Sequence, residues 1–181
     1  MKNFAFAFAI VAATLFSTQE VQAQSFPKMD ASPMDLALAK ADRNSQPVAR
    51  VIYSRPLKKD RKIFGNLVPY GEVWRTGANE ATELTLYKPM MFGKARLDAG
   101  TYTLYTIPNE DSWTIIINSD TNVWGAYSYK KEKDVARIDV PAKDAPAPTE
   151  SLSMVFRPES DGMTLMIGWD STYVEIPFKS I

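Results

Sequence analysis

Thirteen consecutive residues, YGEVWRTGANEAT from Tyr70 to Thr82, bring together an aromatic, a guanidinium, a glycine, an amide and carboxylates. Gly77 permits positive φ, and Asn79 can close a turn through its own side chain. Arg75 and Glu80 are then expected at the two ends of one tight connection, where two readings compete. In the first, Arg75 pairs with Glu80 as a fork on a carboxylate and Trp74 plugs the core, so the stretch is a corner of the fold. In the second, Arg75 clamps a ligand carboxylate or phosphate, with Asn79 and Glu80 setting specificity. A third use of this region is catalysis by Glu80 or Glu83, or with Glu72 as base. On a regular strand from Glu80 onward, Glu80 and Glu83 point to opposite faces and do not form the paired carboxylates of a glycosidase.

Two further stretches carry chemistry-bearing side chains. Between Tyr53 and Gly65, Arg55, Lys58, Lys59, Arg61 and Lys62 stand against Asp60, five cations less one anion, a local charge of +4. A solvated loop is the default for such a run. Arg55 is the exception, because it ends a strand just before Pro56 and can face a cleft. In NSDTNVWGAYSY, the alternation of Asn118, Asp120 and Asn122 resembles a calcium loop. Val123 stands where that loop needs glycine, and Tyr129 where it needs glutamate, so an ordinary turn is expected and no metal. Trp124, Tyr127 and Tyr129 are a candidate aromatic platform for a sugar ring, with Trp124 and Tyr127 as candidate walls, set against the commoner use of aromatics as core. The candidate ligand set is therefore Arg55, Arg75, Asn79, Glu80, Trp124 and Tyr127.

Composition limits the chemistry. The 181 residues contain no His and no Cys. That excludes a Ser-His-Asp triad, a Cys-His pair and zinc sites of the usual His/Cys type, and it removes the side chain best suited to proton transfer near neutral pH. The chain holds no cofactor motif and none is expected. Lys plus Arg equals Asp plus Glu at 21 each, which argues against a nucleic-acid partner.

These residues must be positioned by strands. The first 23 residues read as a secretory signal: Lys2 supplies the positive end, Phe4 to Phe16 the apolar run, and Val21-Gln22-Ala23 the cleavage site, with cutting after Ala23. The expectation is an exported protein, periplasmic or extracellular, with no membrane insertion after cleavage. Without Cys, its stability rests on packing alone. Residues 24–47 read as a loose lead-in, with Pro33 to Lys40 at best a short helix capped by Ser32.

From Val48 to the end at 181 the pattern has period two. Strands are expected at VARVIYS, ELTLY, VARIDV, SLSMVF, MTLMIGW and TYVEIPF, with a hairpin over 101–118 turning at Pro108 to Asp111. Three isoleucines in a row, Ile115 to Ile117, suggest a strand covered on both faces. Asp161-Gly162 and Asp170-Ser171 read as turns, and Pro141 to Pro148 as a surface loop, since proline cannot donate to a ladder. Eight or nine short strands with almost no helix define an all-β, antiparallel β-sandwich or jelly-roll-like single domain.

The ordered blocks ARVIYSRP, IFGNLVPYGEVWRTGANEATE, AGTYTLYTIP, WTIIIN, WGAY, DVARI and SMVF resemble the DUF2911 family of bacterial proteins, over about residues 32–178. That resemblance implies one exported, mainly β domain of the kind found in Bacteroidetes-type organisms, and it assigns no catalytic residue. The reading favoured by the residues is a non-enzymatic binder of a small anionic or carbohydrate ligand or of a partner protein. The alternatives are a His-free hydrolase or lyase using a Glu base, and a structural envelope component.

Overall fold

A computed structural model describes residues 25–181; the expected signal segment, residues 1–23, lies outside them. Ten strands follow in chain order: β1 (Met34–Ala39), β2 (Ala49–Ser54), β3 (Glu83–Leu86), β4 (Met90–Phe92), β5 (Ala95–Leu97), β6 (Gly100–Pro108), β7 (Ser112–Asn118), β8 (Asp134–Pro141), β9 (Lys143–Glu159) and β10 (Gly162–Ser180). They form two antiparallel sheets, a six-stranded one in the order β1-β2-β3-β6-β7-β8 and a four-stranded one in the order β5-β4-β10-β9. The only helical turn among the described residues is a 3₁₀ turn at Lys131–Lys133. The fold is thus the all-β sandwich that the alternating pattern requires.

The core lies between the sheets. Val51, Leu84, Leu104, Trp113, Ile115 and Ile117 face Leu152, Met154, Phe156, Leu165, Ile167 and Trp169, all in one buried cluster. In SLSMVF the buried residues are Leu152, Met154 and Phe156, and in MTLMIGW every second residue from Met163 to Trp169 is buried. Ile116 is as buried as its neighbours, but on the other side. There it joins Tyr105 and Ala81 in a second cluster, packed by Val73, Ile107, Val123, Ala126 and Tyr129. Residues from the segments that precede β3 and follow β7 therefore cover the outer face of the six-stranded sheet, and these segments carry most of the candidate side chains.

Three local expectations are corrected. Residues 34–39 form strand β1, paired with β2 from Met34↔Ser54 to Ala39↔Ala49, in place of a short helix in a loose lead-in. The reason is tertiary: the free edge of β2 offers a full ladder, while MDLALA lacks an apolar helical face long enough to bury. Residues 143–148 belong to β9 rather than to a loop. Between Asp144↔Thr172 and Thr149↔Asp170 the register shifts, so Pro146 and Pro148 sit in an irregularity on an edge strand, where a missing N–H is tolerated. Asp170-Ser171 does not separate two strands. It lies inside the single strand β10, where Asp170 has φ 55° and the pairing with β9 slips. The bulge changes the phase of alternation, so Met163, Leu165, Ile167 and Trp169 and then Val174, Ile176 and Phe178 all face the core.

Candidate functional site

Arg75 stands in the segment between β2 and β3, just after that segment has paired alongside β6 and before it turns toward β3. Trp74 pairs with Thr106 through two backbone bonds, Trp74 N–H to Thr106 O at 2.7 Å and the return bond at 3.0 Å. Thr82 N–H then closes onto Arg75 O at 3.0 Å. The connection is not opened by Gly77, as the sequence suggests, but by Thr76 at φ 58° and Asn79 at φ 55°. Glycine is needed at 77 for space, since a Cβ there would lie 3.2 Å from Ser54 O. A β-branched residue at positive φ costs on the order of 1–3 kcal/mol, and such strain persists only where surroundings enforce it. Here they do: Thr76 is fully buried, its hydroxyl lies 3.1 Å from that of Thr106, and its carbonyl accepts from Thr82 Oγ1 at 2.9 Å.

The strained turn delivers Arg75 into a cleft of about 230 Å³, lined by Arg61, Trp74, Val68, Ser32 and Trp169 among others, with no carboxylate in its wall. Trp74 stacks on Trp169 at 6.1 Å and 18°, and meets Trp113 edge-on at 6.1 Å. Trp74 Nε1 donates to Gly77 O at 3.1 Å and Trp169 Nε1 to Glu150 O at 3.2 Å, which fixes both rings. Arg75 Nε is buried and has no hydrogen-bond partner. No acidic side chain pairs with Arg75 among the described residues. Arg61 completes the charge: its Nε and one terminal nitrogen donate to the carbonyls of Lys58 and Leu57, which aims the fork and leaves donors unspent. Lys58 is committed elsewhere, to Asp170 at 2.7 Å.

The other candidate residues lie apart from Arg75. Arg55 is a structural clasp. Its Nε donates to Leu152 O at 3.1 Å, one terminal nitrogen to Asp35 at 2.9 Å, and the other to Ser151 and Ser153 at 3.0 and 2.8 Å. It ties β1 and β2 to β9 across the open side of the sandwich. Asn79 donates to Asp30 at 3.0 Å. Glu80 is exposed and lines a different cleft, of about 180 Å³, together with Glu83, Met34, Ile52 and Val123. The expected Arg75–Glu80 pair is therefore absent. The two glutamates do not diverge as a strand from Glu80 would make them, because β3 starts only at Glu83. Glu83 accepts the Asn122 N–H at 2.7 Å, and Glu72 stands exposed.

The Asn118 amide is spent within the protein, on Lys130 O and Asp134 and on Asp120 N–H. Among the described residues no group of three His, Cys, Asp or Glu side chains is placed to hold a metal ion. Trp124 and Tyr127 stack on each other at the surface. The sequence pointed to Arg75; Arg61 read as loop charge, and it is an exposed loop residue that also lines the cleft, while Trp169 is a buried core ring whose edge reaches the same cleft. The only signal for Arg61 was the +4 run around it, which by default reads as solvated surface.

Taken together, the fold and cleft define an antiparallel β-sandwich with a guanidinium-lined, tryptophan-walled pocket at one sheet end. The chain matches the family described as protein of unknown function (DUF2911) over residues 32–178, and it belongs to that family. No curated protein and no solved structure matches it.

Proposed function

We propose that this is an exported binding protein whose Arg75 cleft takes a small anion, a carboxylate or phosphate group carried on a short molecule. The observation that supports this most is the buried, unpartnered Nε of Arg75 in a wall that carries a second guanidinium and no acid. A buried donor left unmade costs about 1–3 kcal/mol. Retaining it, beside a turn strained at Thr76, is expected of a residue kept for a ligand rather than for stability. An anion would accept from Arg75 and Arg61 together, and bidentate forks suit carboxylate and phosphate. A cleft of about 230 Å³ has room for one oxyanion and a few carbons. The Lys2, Phe4–Phe16 and Val21–Ala23 pattern supports the export part of this reading.

The test is a thermal-shift series on the mature chain with phosphate, sulfate, acetate, succinate and citrate, each against sodium chloride of equal ionic strength. At a hundredfold excess over Kd a ligand adds about 2.7 kcal/mol, or roughly 5–11 °C for a chain of this size. At least one anion should reach that range, and Arg75→Gln should abolish the shift. If no anion exceeds its salt control, or Arg75→Gln retains the shift, the proposal fails.

A further inference from the structure

On the outer face of the six-stranded sheet, the segment after β7 presents Trp124 and Tyr127 with ring centroids 5.7 Å apart and planes 16° from parallel. They are 60% and 82% exposed, whereas Trp113 and Trp169 are buried. A stacked aromatic pair in water could be a chance surface feature, but this one is built. Ala81 N–H donates to Val123 O at 2.8 Å and Gly125 N–H to Asn79 O at 3.0 Å, which zips the segment to the chain before β3. Gly125 has φ 72°, and a Cβ there would lie 2.7 Å from the Tyr127 ring, so glycine lets that ring fold back over the backbone. Two residues on, Tyr129 anchors the segment edge-on against the buried Tyr105.

The same two backbone bonds flank the antiparallel bridge between Glu80 and Trp124. That makes Glu80 and Trp124 a non-hydrogen-bonded pair, the kind whose side chains share a face and approach most closely. Glu80 is exposed and has no ion-pair partner among the described residues. Stacking covers one face of each ring, so an outward aromatic face of the pair stands near one free carboxylate on a backbone already held in place.

We infer that Trp124, Tyr127 and Glu80 form a carbohydrate-binding platform, separate from the Arg75 cleft, that takes a pyranose ring of a neutral glycan. The C–H groups on the apolar face of a pyranose carry partial positive charge and meet the negative face of an indole or phenol ring. The hydroxyls at the rim of the sugar donate to Glu80. A protein partner fits less well. Asn122, Ser128 and Lys130 around the pair are exposed and polar or charged, so the apolar area is one sugar wide and lacks the aliphatic surround of a protein interface. Two rings stacked on each other also present a plane rather than the enclosing cage that selects a quaternary ammonium.

Trp124 is the most accessible indole, so acrylamide quenching of tryptophan fluorescence reports on it with little interference. The mature chain is titrated with cellohexaose, xylohexaose, laminarihexaose, mannohexaose, maltoheptaose and chitotetraose, and separately with tetramethylammonium. At least one oligosaccharide should protect against quenching with a saturable curve, and isothermal calorimetry on that sugar should give a measurable Kd. Trp124→Ala should abolish the calorimetric signal, Tyr127→Ala should weaken it tenfold or more, and Tyr127→Phe should leave it within twofold. Glu80→Gln should weaken binding severalfold, and Arg75→Gln should not change it. All replaced side chains but Arg75 are exposed, so loss of fold would not mimic these results, and unchanged circular dichroism checks that. The inference is overturned if none of the six sugars protects, if the calorimetric signal survives Trp124→Ala, or if only tetramethylammonium protects.

Discussion

Arg55 offers the sharpest structural test, because four of its N–H groups are committed to acceptors on two strands, β1 and β9. Arg55→Ala removes donors from Leu152 O, Asp35, Ser151 and Ser153 at once. A hydrogen bond from a charged donor contributes about 1.5–3 kcal/mol when buried, but the Arg55–Asp35 pair is 33% and 39% exposed and its share falls toward ~0.5 kcal/mol. The Leu152 carbonyl belongs to a fully buried residue and loses its side-chain donor, while the serine hydroxyls can turn toward other partners. The sum comes to about 3 kcal/mol, equivalent to roughly 6–12 °C in Tm for a chain of this length. Urea unfolding of the mature protein, followed by circular dichroism, measures it directly. Asp35→Asn, which removes only the ion pair, should cost under ~1 kcal/mol, and Arg55→Lys should recover less than half of the loss because it lacks the fork. A loss below ~1 kcal/mol for Arg55→Ala would show that the clasp does not hold β1 and β9 together, and the structural role assigned to Arg55 would be wrong.

Three further predictions concern the site and its surroundings. Arg75→Met should leave the ligand-free protein as stable as before or up to ~1 kcal/mol more stable in urea, because it removes a buried donor that nothing satisfies. Alanine replacements of Arg75 and Glu80, singly and together, should be additive within ~0.5 kcal/mol in the same assay, since the two side chains line different clefts. Burial first, and then the hydrogen bond to Asp134, push the Tyr129 hydroxyl up to about 12 from 10.0. A group raised on folding stabilises fully below its unfolded value, so this contribution should be complete below pH 10 and drain away as pH rises toward 12. Urea midpoints between pH 9 and 12 should therefore fall less steeply for Tyr129→Phe than for the unaltered protein.

Alternation made the sandwich legible. Ile115 to Ile117 could be read as doubly covered because three adjacent aliphatics have no solvent face on any strand, and all three are buried. What alternation does not show is a change of phase. The bulge at Asp170 looks like a turn dipeptide in the sequence, and only the continuing pairing with β9 reveals one strand. β1 was missed for the opposite reason: its exposed positions are Met34, Leu36 and Leu38, so its pattern does not advertise a buried face. The site was legible in part. Arg75 stood out by type, but its separation from Glu80 depends on positive φ at Thr76 and Asn79, and a β-branched residue gives no local hint of that conformation. Trp124 and Tyr127 could be named as a candidate platform from their type, but the bridge to Glu80 and the ring lying over Gly125 could not, and neither follows from spacing.

The claim that Arg75 waits for an anion is tested most directly on its own Nε–H. Proton–nitrogen correlation spectra of the mature protein, with the arginine Nε resonance of Arg75 assigned by its loss in Arg75→Lys, are followed through titrations with phosphate and with citrate. The account predicts that this one resonance moves saturably with at least one of them while that of Arg55, already bonded to Leu152 O, stays in place. An Arg75 resonance indifferent to both anions, or one that moves only in step with sodium chloride, would contradict it.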